Sequence, residues 1–241
     1  MCDTCGCGDS EIIPVDVHEN ILAGNDRTAA HNREHFRERG VVAVNLMGSP
    51  GSGKTAVLEA TARRLAGRQR LGALAGDLAT ERDADRLCAA GITAKSITTG
   101  SACHLDAEMV HRGLHDFPWR EFEYLFIENV GNLVCPAIYD LGQVANVVAL
   151  AVTEGEDKPL KYPVMFRKAD LVLMTKIDLL PYLPDVHLET IADALARVMP
   201  RPLYIPVSAH TGEGMDQWLE WLEHLRLASQ SSAATHFGAT A

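Results

Sequence analysis

Residues 41–60 read VVAVNLMGSPGSGKTAVLEA, and this stretch decides the fold. The apolar run 41–47 has no polar alternation beyond Asn45, which predicts a strand buried on both faces, as in a parallel sheet. GSPGSGKT at 48–55 then matches G-x-x-x-x-G-K-[ST] in full, and a helix is expected over 54–67. A strand before and a helix after are the context that turns this motif into a phosphate-binding loop. Gly48, Gly51 and Gly53 let the backbone of the loop, with Ser49, Pro50 and Ser52 between them, turn its N–H groups inward. Lys54 supplies a point charge for the outer phosphates and Thr55 a hydroxyl for Mg²⁺. The helix N-terminus adds its positive dipole end.

Strands are expected outward from this unit at 71–76, 92–98, 123–130, 144–152, 170–176 and 202–208. Helices are expected at 26–39, 80–90, 104–115, 185–198 and 214–227. Strand and helix alternate, which implies an α/β domain with a doubly wound, mostly parallel sheet. The organisation read from the chain is a Cys-rich segment and linker over 1–25, a nucleotide domain with a leading helix over 26–228, and a disordered tail over 229–241. Asp26 is the expected N-cap of the leading helix, which has few large apolar residues and should pack only partly on the body. With 47% hydrophobic and 22% charged residues the chain reads as an ordinary soluble globular protein. A net charge of −10 argues against non-specific nucleic-acid binding and against electrostatic membrane attachment. No run approaches the roughly 20 apolar residues of a spanning helix. No basic-then-apolar leader opens the sequence, so a cytoplasmic location is expected.

Asp77 ends the second expected strand at the phosphate-loop edge. Glu128, closing LFIEN, holds a Walker-B-like place and is suited to Mg²⁺ through water. Gly131 follows and would let the backbone come close to a γ-phosphate. A solvated strand end is the plainer reading of Asp77 and Glu128. The base is addressed by TKID at 175–178 and SAHTG at 208–212. Asp178 can accept from both N–H groups of guanine, a pairing adenine does not offer. Lys176 can lay its stem along the base, and Ser208–Ala209 can offer the Ala209 N–H to the guanine carbonyl. The first position of this element is more often Asn in GTPases; here it is Thr175.

Six cysteines are too few and too clustered for a disulfide scaffold. Cys2, Cys5 and Cys7 place three thiolates within six positions, able to converge on one soft or borderline cation, Ni²⁺, Zn²⁺ or Cu⁺. The α-amino group left by trimming Met1 is a candidate fourth ligand. Cys103, His104 and Cys135 form a second set, because both segments should lie at the C-terminal edge of the sheet. Two thiolates and an imidazole suit Zn²⁺ or Ni²⁺. Core packing for the cysteines and a helix cap for His104 are the plainer readings. Cys88 reads as a small core hydrophobe. His111 and His115 lie one turn apart, and a solvated helix face is their plainer reading.

CDTCGCG at the start, GSPGSGKT, GSACHLDAEMV at 100–110, FIENVGNLVCPAIYDLG at 126–142, VTEGEDKPLKYP at 152–163, KIDLLPYL at 176–183 and SAHTGEGMDQWLEWL at 208–222 together resemble the hydrogenase nickel-incorporation GTPases, HypB. The resemblance covers nearly the whole chain. It implies a SIMIBI-class P-loop GTPase that helps insert nickel into the large subunit of [NiFe]-hydrogenase, with a HypA-type accessory protein and, in some organisms, SlyD as partners. It implies a tight nickel site at Cys2, Cys5 and Cys7. It also implies a nickel or zinc site at Cys103, His104 and Cys135, near switch loops and a nucleotide-dependent homodimer interface. The His-rich storage tract of some members is missing. A urease-type accessory GTPase is the nearest alternative, though its metal motif is typically Cys-Pro-His. A nickel storage protein and a P-loop kinase or metabolic ATPase are the more distant ones.

Overall fold

The computed structural model describes residues 15–77, 82–100 and 102–237. Cys2, Cys5 and Cys7 lie outside the described residues. Seven strands form one sheet: β1 (Val42–Gly48), β2 (Leu71–Asp77), β3 (Thr93–Thr98), β4 (Tyr124–Glu128), β5 (Ala145–Ala151), β6 (Leu171–Thr175) and β7 (Tyr204–Val207). Their order is β3-β2-β4-β1-β5-β6-β7 and every pairing is parallel. The chain winds from β1 to one side through β2 and β3, then returns past β1 to build the other. The crevice at such a reversal, beyond the carboxyl ends of the strands, is where ligands bind in open α/β sheets. β1 is buried along its whole length, as its apolar run predicts.

The parity of β1 divides the core. Val42, Val44 and Leu46 face a layer built by α2 (Lys54–Leu65), α3 (Arg82–Ala89) and α8 (Met215–Phe237), where Trp218 is fully buried. On the opposite face, Ala43 meets Phe36 of α1 (Val15–Arg39) and Val110 of α4 (Ala107–Gly113). Met47 meets Phe166 of α6 (Pro163–Arg167) and Leu195 of α7 (Leu188–Val198). The short α5 (Lys158–Lys161) and α6 were not expected from periodicity; each is about a turn long and has Pro in its first two positions.

Four expectations need correction. The leading helix begins at Val15 rather than 26, so the part of the expected linker that is described is helical and Asp26 is internal rather than a cap. Residues 229–237, expected to be disordered, continue α8. The helix expected from 104 starts at Ala107, where Asp106 caps it by accepting from the Met109 N–H at 2.7 Å, and this leaves His104 in the preceding loop. Cys88 is exposed, and its neighbour Leu87 is the buried residue.

Polar contacts do much to dock α1, which explains how a helix with few large apolar residues finds its place. Asn32 is fully buried, and its amide donates to the Ala107 carbonyl at 2.9 Å and the Leu141 carbonyl at 3.2 Å. Asn25 donates to the Asp140 carbonyl and accepts from the Ala107 N–H. Gly142 has φ +91°, and a Cβ there would lie 2.7 Å from the Ala29 carbonyl oxygen, so the helix backbone rests on a position open only to glycine.

Trp218 closes the other layer, donating its indole N–H to Thr61 Oγ1 at 2.9 Å. Trp218→Ala should cost ~3–5 kcal/mol and Trp218→Phe clearly less, read as the shift of the urea midpoint at unchanged slope.

Candidate nucleotide and metal site

The phosphate loop follows β1. Gly48 has φ +147°, and a Cβ there would fall 2.4 Å from the Ala149 carbonyl oxygen of the neighbouring strand. Gly53, at φ +93°, starts α2. Lys54 is 7% exposed and donates to the carbonyls of Gly48 at 3.3 Å and Ser49 at 3.1 Å. Burial lowers its pKa, an effect opposed by the nearby carboxylates of Glu128, Asp83 and Glu154. The Thr55 hydroxyl lies 2.7 Å from Glu128 Oε1 and 3.1 Å from Asp83 Oδ1, and its single hydrogen serves one of them at a time.

A cavity of about 460 Å³ opens over the loop, lined among others by Lys54, Thr55, Asp77, Asp83, Arg86 and Glu128. Glu128 is 3% exposed, and burial, as the largest effect, pushes its pKa up to about 7. Its Oε2, Ser49 Oγ and Ser52 Oγ are buried without a hydrogen-bond partner among the described residues. Buried polar atoms are normally satisfied, so these three mark a place built for a ligand. An all-oxygen set of Thr55, Glu128 and Asp83 fits a hard cation such as Mg²⁺.

The expected base loops close the same edge. Thr175 is 2% exposed, and its hydroxyl donates to the Ser52 carbonyl at 2.5 Å, which ties this loop to the phosphate loop. Lys176 adopts φ +63°. Asp178 accepts from the Ser208 hydroxyl at 2.6 Å, and the Ser208 oxygen in turn accepts from the Thr211 N–H. The two base motifs are thus locked to each other, with Ala209 next to Ser208.

The second metal set is brought together across 32 residues. Cys103, His104 and Cys135 offer ligand atoms that all lie within 4.8 Å of one another. The two sulfurs are 3.1 Å apart, and Cys103 Sγ is 3.9 Å from His104 Nδ1. All three residues are half-buried. His104 stacks on Tyr139 with ring centroids 4.0 Å apart, and burial lowers its pKa, keeping a lone pair available. The hydrogen bond with Cys103 and then burial push the Cys135 thiol up. Two adjacent thiols resist joint ionisation unless a cation balances them. Thiolates and imidazole fit Ni²⁺ or Zn²⁺.

Residues 129–135 join the two centres. Gly131 packs on the phosphate loop, where a Cβ would meet Pro50 Cγ at 2.8 Å. Asn132 forms an isolated bridge with Gly48, and its amide donates to the Cys103 carbonyl at 3.3 Å. Asn129 Oδ1 accepts from the Leu105 N–H, next to His104. Sequence reasoning missed Asp83 and Asn129. Asp83 carried a faint signal as an acidic residue in the first turn of a helix beside the site. Asn129 adjoins Glu128 but looks like loop filler until the fold places Leu105 against it.

Residues 42–201 match the CobW/HypB/UreG nucleotide-binding domain family. The hydrogenase maturation factor HypB of Rhizobium leguminosarum bv. viciae is 51% identical over 209 residues, which span 87% of this chain and 70% of that protein. The crystal structure of hydrogenase maturation factor HypB from Archaeoglobus fulgidus superposes with a TM-score of 0.79 at 40% identity, covering 85% of this chain and all of that one. The crystal structure of HypB from Helicobacter pylori in complex with nickel gives 0.81 at 37% identity, covering 86% and 97%. With a matched P-loop domain, a relative of this identity and the same seven-stranded frame, the chain belongs to the HypB family of hydrogenase maturation factors.

Proposed function

We propose that this chain hydrolyses GTP and uses the nucleotide state to control a nickel ion held for delivery to the large subunit of [NiFe]-hydrogenase. The observation that carries the reading is the 129–135 segment. It rests on the phosphate loop at Gly131 and Asn132 and ends at Cys135, whose sulfur is clustered with Cys103 and His104. Switch loops ordered by γ-phosphate contacts are a known two-state element, and here the moving loop would carry a sulfur ligand with it.

In this reading Lys54 and the loop N–H groups hold the phosphates. Thr55 and Glu128, with Asp83, hold Mg²⁺, which neutralises charge on the phosphates. Asp77, which lines the same cavity, is our candidate for orienting the attacking water. Arg86 also lines the cavity but is paired with Glu59 and Asp83. Turnover without a partner should therefore be slow, about 10⁻⁴–10⁻² per second. Cys2, Cys5 and Cys7 form a separate nickel site, and Zn²⁺ competes at Cys103, His104 and Cys135. Val134 and Ile138 flank Cys135 and are 50% and 43% exposed, a surface suited to a homodimer formed on GTP or metal binding. A HypA-type protein, and SlyD where present, are the proposed nickel partners. The urease-type alternative is disfavoured because Cys103-His104 and Cys135-Pro136 stand apart rather than forming one Cys-Pro-His run.

A chain with Cys2, Cys5 and Cys7 changed to Ser should bind Ni²⁺ with different affinity in GDP and in a non-hydrolysable GTP analogue. By reciprocity, Ni²⁺ should shift nucleotide preference by the same factor. Equal affinities in a calorimetric titration would remove the thermodynamic coupling. Asp178→Asn should weaken GTP binding by about tenfold or more while favouring a xanthine nucleotide, since an amide offers a donor where guanine needs an acceptor. Competition binding reads this directly.

Glu128→Gln gives a third expectation. A carboxyl raised from 4.5 to about 7 destabilises the fold above pH 7, and that cost vanishes below 4.5. The ligand-free variant should therefore gain up to ~3 kcal/mol at pH 8 and nothing near pH 4.5, while losing Mg²⁺-dependent GTP hydrolysis. Denaturant titration at the two pH values, beside a GTPase assay, checks both.

A further inference from the structure

A second cleft, of about 700 Å³, opens between α1 and α4 and shares no residue with the nucleotide cavity or the Cys103 cluster. Three imidazoles gather in it. His31 and His35 lie one turn apart on α1, and His111 reaches them from α4. Ring centroids are 4.1 Å apart for His31–His35, 5.3 Å for His31–His111 and 6.3 Å for His35–His111. Imidazoles that share a tetrahedral ion at ~2.0–2.1 Å from each nitrogen have centroids roughly 5 Å apart. The three observed spacings bracket that value; as the rings stand their nitrogens do not all come within 4.8 Å of one another, so holding one ion requires the side chains to rotate.

The surroundings prepare the rings for that role. Asn32 donates through Nδ2 to the Ala107 and Leu141 carbonyls, so its Oδ1 is the atom presented to His111 Nδ1, 3.0 Å away. His111 therefore carries its proton on Nδ1 and keeps the Nε2 lone pair free. A buried carbonyl oxygen fixing the tautomer of a ligating imidazole is a recurrent outer-shell arrangement. His35 stacks on Trp119 at 6.0 Å. Its pKa is lowered by burial first and then by His31, with His111 and Arg120 adding to this and Glu38 opposing it, which favours the unprotonated ring. His115 lines the same cleft.

We propose that His31, His35 and His111 form a third metal site, selective for borderline divalent cations such as Ni²⁺, Zn²⁺ or Co²⁺. The site is open to solvent on the side of His31, which is exposed, while His35 and His111 are half-buried. Three imidazoles leave at least one position for water or for a ligand from another protein. The inference does not depend on the nucleotide-coupled reading, because it concerns binding in a separate cleft.

The test uses an untagged full-length chain in which Cys2, Cys5, Cys7, Cys103 and Cys135 are changed to Ser and His104 to Ala. Zn²⁺ and Ni²⁺ are titrated separately, with bound metal measured after equilibrium dialysis. One ion per chain is expected to remain. Adding His35→Gln or His111→Gln should weaken it by about tenfold or more. The histidine ring nitrogens of the unmodified chain give a readout that does not rely on variants folding. On Zn²⁺ addition, the ¹⁵N shifts of His31, His35 and His111 should move together, at a metal excess beyond that needed to shift His104. No retained ion, binding that survives both glutamine variants, or unmoved ring resonances would each overturn the proposal.

Discussion

One amide side chain holds the working edge of this molecule in register. Asn129 is 1% exposed, and both ends of its amide are engaged. Its Nδ2 donates to Asn45 Oδ1 in the middle of β1. Its Oδ1 accepts from the N–H groups of Leu105 and Val130. Asn45 in turn donates to Asn146 of β5, which also accepts from Gln143. A buried amide that lost one of these partners would leave an unsatisfied group at a cost of ~1–3 kcal/mol, so the chain of amides favours a single arrangement. That arrangement fixes the loop after β4 against β1 and against the segment carrying Cys103 and His104. The phosphate loop and the thiol cluster are thereby built on one frame, with residues 130–135 running between them.

The frame itself was legible because parallel sheets are simple to read. Strands buried on both faces appear as unbroken apolar runs, and all seven expected strands are present. The phosphate loop, Asp77, Glu128, Thr175, Asp178 and Ser208 all fall at strand ends. Winding rules place every such end on one edge, so spacing in the sequence translates into proximity in space. Cys103, His104 and Cys135 were found by the same logic.

What stayed hidden depends on helix docking, which periodicity does not encode. α1 is anchored in large part by Asn25 and Asn32, residues that read as helix-neutral in a sequence and find their partners 75 to 115 positions away. With α1 expected to start at 26 and to pack only partly, nothing in the sequence joins His31 and His35 to His111, whose expected neighbour is His115 on its own helix. Asp83 was missed for a related reason: its carboxylate matters only because α3 lies against the start of α2. The last helix runs past its expected end because small Ala and Ser residues, which read as a polar tail, continue a helix already begun at Met215.

The buried Glu128 gives the phosphate cradle an adjustable charge. Burial pushes its pKa up to about 7, and it sits beside Lys54, whose own charge burial makes costly. A fixed pair of buried ions would present one field to every visitor. A carboxyl whose pKa is raised towards neutrality instead takes up a proton at little cost where negative charge gathers and gives it up at little cost beside a cation. On a chain carrying a net charge of −10, this spares an incoming nucleotide part of the repulsion it would otherwise meet at the mouth of its cavity.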